Sequence, residues 1–215
     1  GKGILPVVGE QIGQVAAYGN DRAFVCIYLD SDQATPATLR AAESAGQPVI
    51  RLTLTDPYDL GGQFFLWEMA TVVMGERLGI NPFDQPNVES AKVMARKMAA
   101  TYLETGKLPA QSMAGEADGV ELYGDVMSGG GLAEVCSRFL KHAAPAGYVS
   151  LHSYLQPTPE TTQALHTMQN MIRMKTHCAV TVGYGPRFLH STGQLHKGDG
   201  GKGLFIQITA DDPED

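Results

Sequence analysis

The feature that most constrains the fold is a strand, a helix and a second strand joined by short connections. Residues 24–29 are continuously apolar and rich in β-branched and aromatic side chains, which predicts a strand buried on both faces. Thr35 and Pro36 predict the start of a helix, and Gly46 predicts its end. Residues 49–54 predict the next strand. Because strand–helix–strand units usually join parallel strands, the chain is predicted to be an α/β protein.

The second half of the chain repeats this order. Residues 148–155 and 178–182 predict two strands, and between them Thr158 and Pro159 open a helix. Residues 204–212 resemble the first strand and would begin another unit. Repeated βαβ units predict a three-layer α/β/α fold with a mainly parallel sheet, in which ligands bind at the carboxyl ends of the strands.

The expected organisation has three parts. Residues 1–105 form a first unit, residues 106–131 an irregular excursion or linker with a short hairpin near residues 120–123, and residues 132–215 a second α/β unit that is truncated at its carboxyl end. The middle part is rich in glycine and ends in three consecutive glycines before a helix. Those glycines could bind an anion, and a flexible linker is the alternative.

Charge and cysteine content exclude several classes of function. The net charge is −7 and no basic stripe is present, so a nucleic-acid partner is not expected. No apolar run approaches the length of a membrane span. The three cysteines are far apart and lack C-x-x-C spacing, which indicates reduced thiols in a cytoplasmic protein. No spacing of potential ligands suggests a metal site, and no cofactor is expected.

Residues 79–92 are the strongest candidate for a functional site. A Pro-punctuated turn holds Gln85, and the helix that follows carries Glu89 and Lys92 in its first turns. Gln85 and Lys92 are two helical turns apart, so both can face one cleft, where the lysine could bind phosphate or transfer a proton. The alternative is an i, i+3 pair of Glu89 and Lys92 on a solvated helix face.

The same stretch resembles a known signature. From Asn81 to Lys92 it reads N-P-F-D-Q-P-N-V-E-S-A-K, which is similar to the C-terminal signature of phosphoglucose isomerases, roughly F-D-Q-x-G-V-E-x-x-K. Asn87 departs from it, because the family usually has Gly or Ser there. The preceding helix, with Trp67, Glu68 and Gly75, also resembles that family. Residues 184–198 resemble more specifically the isomerase half of bifunctional transaldolase/phosphoglucose isomerases.

The resemblance implies sugar isomerase domains and a glycolytic and gluconeogenic reaction. Glucose 6-phosphate and fructose 6-phosphate would be interconverted through an enediol, without a metal or a cofactor. Gln85 and Glu89 would contact the substrate, and Lys92 would assist ring opening. The implied partners are a sugar phosphate, a preceding isomerase domain, a transaldolase domain of the full-length chain and a second copy in a homodimer.

Two parts of the family's active site are missing from this sequence. The family's catalytic base is a Glu in an E-S-x-G-K motif. In the family this motif comes just before the segment that residues 1–10 resemble, so the Glu is expected immediately upstream of Gly1. The phosphate-binding Ser/Thr loops and the Arg of a G-G-R motif belong to the preceding isomerase domain. This chain alone is therefore expected to be inactive.

The ring-opening histidine is the unsettled position. The family places it in a G-Q-H-x-F segment, and Arg22 occupies the matching position here. Arginine can stabilise an oxyanion but does not exchange protons at neutral pH. His196 is the first candidate to replace it, with a structural histidine as the alternative, and His190 is the second. The other histidines are expected to be structural: His142, His152, His166 and His177.

Three further alternatives remain at this stage. Residues 197–203 superficially resemble a phosphate loop, but they lack the G-K-[ST] ending and enter a strand. The rival function is a non-catalytic, sugar-phosphate-binding regulatory domain on the same fold, which fold alone cannot distinguish from an enzyme. Transaldolase chemistry within this chain has no support, because no (β/α)₈ pattern is present.

Overall fold

The computed structural model describes residues 3–32, 37–84, 87–109, 111–124, 129–189 and 191–211, with backbone alone at residues 191 and 192. The helices in this part of the chain are α1 (Ala37–Ser44), α2 (Leu60–Leu78), α3 (Val88–Thr105), α4 (Leu132–Phe139), α5 (Pro159–Thr176) and α6 (Ser191–Lys197). The strands are β1 (Phe24–Leu29), β2 (Val49–Leu54), β3 (Met113–Ala117), β4 (Val120–Tyr123), β5 (Tyr148–Ser153), β6 (Ala179–Tyr184) and β7 (Gly203–Ile208). The fold is mixed α/β with mostly parallel strands in open sheets, as predicted.

The first unit is a parallel pair of strands with one covering helix. β1 and β2 pair in parallel, with Phe24 opposite Val49 and Leu29 opposite Leu54. α1 connects them and buries Leu39 and Ala42. This confirms the strand–helix–strand prediction, although Thr35 and Pro36, expected to open the helix, lie outside the described residues.

The second unit is a three-stranded parallel sheet in the order β6-β5-β7. Tyr148 of β5 pairs with Ala179 of β6 on one side and with Gly203 of β7 on the other. The expectation that the last strand begins another unit stays a prediction. In the described residues that strand, β7, pairs with β5 rather than with β6, because α6 carries the chain from β6 back across the sheet.

Alternation along β5 divides its side chains between two layers. Val149 and Leu151 face α5 and form the core with Ile172 and Val180, and all four are less than a tenth exposed. Burying each such side chain contributes roughly 1.5–3 kcal/mol. The opposite side chains, beginning with Tyr148, face α6. The sheet therefore lies between two helical layers, which is the predicted three-layer arrangement.

α5 begins as the sequence predicts. Thr158 is its N-cap, and the Thr158 side chain accepts a hydrogen bond from the Thr161 amide at 3.1 Å. Pro159 occupies the first helical position, where its missing N–H is not needed. His177 ends the helix in the left-handed conformation, with φ of 56°.

The N-terminal segment is attached to α5 through Arg173. Arg173 is 3% exposed, and its guanidinium group forms an ion pair with Glu10 and donates to the Tyr18 hydroxyl at 2.9 Å and to the Gln11 carbonyl at 3.1 Å. Asn170 accepts from the other terminal nitrogen. The contacts of Arg173 with Glu10, Gln11 and Tyr18 connect residues that are more than 150 positions apart in the sequence.

The middle of the chain contains the predicted hairpin, formed by antiparallel β3 and β4. Asp118, in the turn between them, accepts a hydrogen bond from the Leu132 amide at 2.8 Å and so satisfies the start of α4. At this helix end, where the sequence analysis allowed an anion site, the protein supplies its own carboxylate. No helix in the described part of the chain combines the length and the apolar character that crossing a bilayer would require.

Candidate functional site

A cluster of polar side chains lies between β5 and α6. Tyr148, Ser150 and His152 alternate along β5 and therefore share one face of the sheet. α6 places His196 above them: its Nδ1 lies 3.0 Å from the Tyr148 hydroxyl, and its Nε2 lies 3.5 Å from the Ser150 Oγ. Ser150, which is 1% exposed, also lies 2.9 Å from His152 Nε2 and 2.8 Å from Thr181 Oγ1. Two imidazoles thus contact one buried serine hydroxyl.

The loop after α6 completes this cluster with Asp199. The Tyr148 hydroxyl donates to Asp199 Oδ2 at 3.0 Å. The Asp199 carboxylate also accepts from the Gly203 amide at 2.7 Å and from the Gly201 amide at 2.8 Å. These are backbone amides of the stretch that superficially resembles a phosphate loop. Because the Asp199 carboxylate of the same stretch accepts hydrogen bonds from both amides, these amides donate within the protein rather than to a ligand.

Burial sets the protonation of these groups. Desolvation lowers the pKa of His152, and the neighbouring His196 lowers it further. Desolvation also lowers the pKa of His196, against the opposing effect of Asp199. Burial raises the pKa of Tyr148, and its hydrogen bond to Asp199 adds to this effect. At neutral pH both imidazoles are therefore uncharged and able to accept a proton, while Tyr148 keeps its hydroxyl proton.

Aromatic rings enclose the two histidines. His152 stacks on Phe188, with ring centroids 4.1 Å apart, and His196 contacts Phe205 at 5.4 Å between centroids. His196 lies over the middle of β5, whereas the sequence analysis expected ligands at the carboxyl ends of the strands. His152 was expected to be structural. The alternation of Tyr148, Ser150 and His152 on one strand was the available signal that these residues share a face.

The predicted lysine lies on an exposed helix. Lys92 is exposed on α3, and its ammonium group forms no ion pair with a described residue. Glu89 pairs with Arg96, two helical turns away, so the alternative pairing of Glu89 with Lys92 is not formed. Gln85 lies outside the described residues.

Two distant parts of the chain approach α6 and the residue that follows it. A Cβ atom on Gly198 would lie 3.1 Å from Asn87 Nδ2, at the start of α3, and one on Gly3 would lie 3.1 Å from Leu195 Cδ1. The end of the 79–92 stretch and the N-terminal segment therefore approach the same helix that carries His196.

Arg22 lies at a different place. Its guanidinium group contacts Asp21 and donates to the His177 carbonyl at 3.1 Å, at the C-terminus of α5. Since His177 precedes β6, Arg22 lies near the amino ends of the strands, beside a cavity of about 330 Å³ lined in part by residues 143–147. His190, the second candidate histidine, lies outside the described residues.

Within the described ranges, no group of three or more His, Cys, Asp or Glu side chains could hold a metal ion. The chemistry available from this cluster is proton transfer and hydrogen bonding by imidazole and hydroxyl groups.

Comparison with known proteins gives partial matches. No protein-family model and no solved structure matches the chain. The chain is 41% identical over 68 residues to the glucose-6-phosphate isomerase of Exiguobacterium sibiricum, a stretch that covers 31% of this chain and 15% of that enzyme. It is 39% identical over 64 residues to the enzyme of the same name from Leptospira interrogans, which covers 29% and 14%. It is 35% identical over 92 residues to that of Streptococcus equi subsp. zooepidemicus, which covers 41% and 19%. The chain thus matches less than a fifth of the length of these three relatives, and over these stretches it is similar to glucose-6-phosphate isomerases.

Proposed function

We propose that this chain is part of an aldose–ketose isomerase that interconverts glucose 6-phosphate and fructose 6-phosphate by acid–base catalysis. The observation that carries the proposal is the approach of Asn87 to Gly198. It joins the 79–92 stretch and the 184–198 stretch, both of which resemble isomerases, at one place in the fold. The partial identity to enzymes named glucose-6-phosphate isomerase supports the same reaction.

The proposed roles follow the chemistry of ring opening. The C1 hydroxyl of the cyclic sugar must lose a proton, and the ring oxygen must gain one as the C1–O5 bond breaks. We assign these transfers to Lys92 and His196, since a neutral imidazole can accept and return a proton near pH 7. Gln85, Glu89, Arg22 and His190 remain proposed substrate contacts.

The base that moves the proton between C2 and C1 is proposed to come from another part of the full-length protein. The exposed face of α2 is a surface to which that part of the full-length protein could bind. Its apolar side chains lie open to solvent, with Phe64 64% and Phe65 67% exposed, and Gly75 is its one buried residue. Apolar patches of this kind mark interaction sites. We propose that the preceding isomerase domain covers α2.

The wider context is also part of the proposal. It includes a fused transaldolase domain, a homodimer and a cytoplasmic location. The three cysteines are free thiols in the structure, which supports a reducing compartment.

A coupled assay of the full-length protein tests the function. Fructose 6-phosphate is supplied, and NADPH formation by added glucose-6-phosphate dehydrogenase is measured. His196→Gln and Arg22→Ala are compared with wild type on ring-closed substrate, with the exposed His142→Gln as a matched control. Turnover should fall in the His196 variant and stay unchanged in the control.

Unchanged turnover of ring-closed substrate in His196→Gln would contradict the role given to that histidine. No NADPH formation by folded wild-type protein would favour the regulatory sugar-phosphate-binding domain instead.

A further inference from the structure

The hydrogen bonds around Tyr148 determine where its single hydroxyl proton lies. Its oxygen is 3.0 Å from both Asp199 Oδ2 and His196 Nδ1. Both oxygens of Asp199 already accept backbone amides, so this carboxylate acts as an acceptor throughout. The Tyr148 proton is therefore donated to Asp199. The lone pairs of the same hydroxyl remain for His196.

We propose that Asp199 and Tyr148 hold His196 in the tautomer protonated on Nδ1, which leaves the Nε2 lone pair directed toward Ser150. In this arrangement Nδ1–H of His196 donates to the Tyr148 oxygen, and Nε2 is the proton-accepting atom. Tyr148 and Asp199 are positioning residues, since they act through His196. Their use in catalysis rests on the proposed isomerase function, whereas the tautomer itself does not.

The geometry around Ser150 supports Nε2 as the working atom. Its contact with Ser150 Oγ is 3.5 Å, while the same hydroxyl lies 2.9 Å from His152 Nε2 and 2.8 Å from Thr181 Oγ1. The Ser150 hydroxyl therefore forms its shorter hydrogen bonds with His152 and Thr181. The Nε2 atom of His196 is left with the longest hydrogen bond in the cluster, so its lone pair is the least engaged.

Gly203 lies directly beside the contact between Tyr148 and Asp199. A Cβ atom there would lie 2.5 Å from Asp199 Oδ2 and 2.7 Å from Tyr148 Cζ. Only glycine leaves room for the carboxylate and the phenol to meet beside the first residue of β7. The absence of a side chain at Gly203 therefore allows Asp199, in the loop, to contact Tyr148, in β5.

The tautomer can be measured by nitrogen NMR on full-length protein labelled with ¹⁵N-histidine, without substrate. The His196 signals are assigned by their loss in His196→Gln. In wild type, Nδ1 should show the shift of a protonated nitrogen and Nε2 that of an unprotonated one. Tyr148→Phe removes the acceptor for Nδ1–H, so the two tautomers should become mixed. Tyr184→Phe, on the neighbouring strand β6, is the matched control, since it removes a hydroxyl that contacts Thr162 of α5 rather than His196.

Changes at Asp199 give a sharper result. Asp199→Ala frees the Tyr148 proton to be donated to Nδ1, so His196 should change to the Nε2–H tautomer. Asp199→Asn keeps an acceptor oxygen and should restore the wild-type tautomer. A purely space-filling role for Asp199 would not produce this reversal and rescue.

The outcomes separate this inference from the proposed function. Protonation on Nε2 in wild type, or an unchanged tautomer in both Tyr148→Phe and Asp199→Ala, overturns the inference whatever the activity. If the full-length protein isomerises sugar phosphates, Tyr148→Phe should lower kcat with little change in KM, because Tyr148 is not assigned a substrate contact. An absent isomerase activity with the expected tautomer rejects the function and supports the hydrogen-bond assignment.

Discussion

Asn87, at the start of α3, lies against Gly198, two residues beyond His196: a Cβ atom on Gly198 would come within 3.1 Å of Asn87 Nδ2. These residues are more than a hundred positions apart in the sequence. Asn87 is also the position at which the isomerase-like signature departs from its usual Gly or Ser. Its amide side chain therefore reaches toward α6, which a Gly or Ser at that position could not do to the same extent.

Lys92 should be required for turnover but not for folding. It is exposed on α3, so Lys92→Ala in the full-length protein should leave thermal stability unchanged. If it assists ring opening, turnover should fall by about 10²–10⁴-fold, the usual contribution of a general acid–base group. Lys97→Ala on the same helix is the control, because it removes an exposed lysine outside the signature. Equal rates for the two variants would argue against the role of Lys92.

The protein should lose thermal stability as the pH falls. Burial lowers the pKa of both His152 and His196 in the folded state. Below the unfolded value of about 6.5 the unfolded chain binds more protons at these positions, so stability present above that pH is lost as the pH falls toward the folded pKa values. Melting curves between about pH 7.5 and about pH 5 should show this loss. His152→Gln should reduce the dependence on pH, whereas the exposed His142→Gln should not.

Gly147 should not tolerate alanine. A Cβ atom there would lie 2.6 Å from the Lys202 carbonyl and 2.8 Å from the Ala144 carbonyl, and both are backbone atoms. Gly147→Ala should therefore lower the free energy of unfolding by about 1–3 kcal/mol, measured by denaturant unfolding. Gly62→Ala, within α2 and with nothing within 4 Å of its Cβ position, should stabilise the protein by about 0.5–1 kcal/mol. The opposite order of stabilities would show that the backbone around Gly147 adapts.

Arg173 should be the most sensitive charged residue outside the polar cluster. Arg173→Ala leaves Glu10, which is 15% exposed, without its ionic partner and releases the N-terminal segment from α5. Removing one member of a buried ion pair costs about 3–5 kcal/mol. Arg77→Ala removes an exposed pairing with Glu76 and should change stability little. Limited proteolysis should cut residues near Glu10 faster in the Arg173 variant, and unchanged protection would contradict the proposed attachment.

Local pattern predicted most of the elements. The apolar runs at β1, β2 and β5, the Thr158–Pro159 start of α5 and the hairpin near β4 all appear where the sequence indicated them. These features depend on neighbours within a few residues, so periodicity and capping chemistry suffice to find them. The return of β7 to β5 was missed, because strand order depends on pairing between segments that are far apart in the chain.

The polar cluster could be predicted only in part. His196 was singled out from its sequence context, and alternation on β5 was enough to place Tyr148, Ser150 and His152 on one face. It could not show that α6 covers that face, or that Asp199 meets Tyr148 beside Gly203. Arg22 was predicted to stand where isomerases have their ring-opening histidine, and only the structure shows its guanidinium group bound at the end of α5.

The sequence by itself determined the α/β class, the positions of most strands and helices, and a likeness to isomerases, because each is carried by residues close together in the chain. The tertiary structure alone decided which imidazoles meet, which amides the loop carboxylate occupies and where α3 touches α6. Those contacts join residues separated by tens to more than a hundred positions, and they form only where burial of the sheet faces brings the covering helices into place.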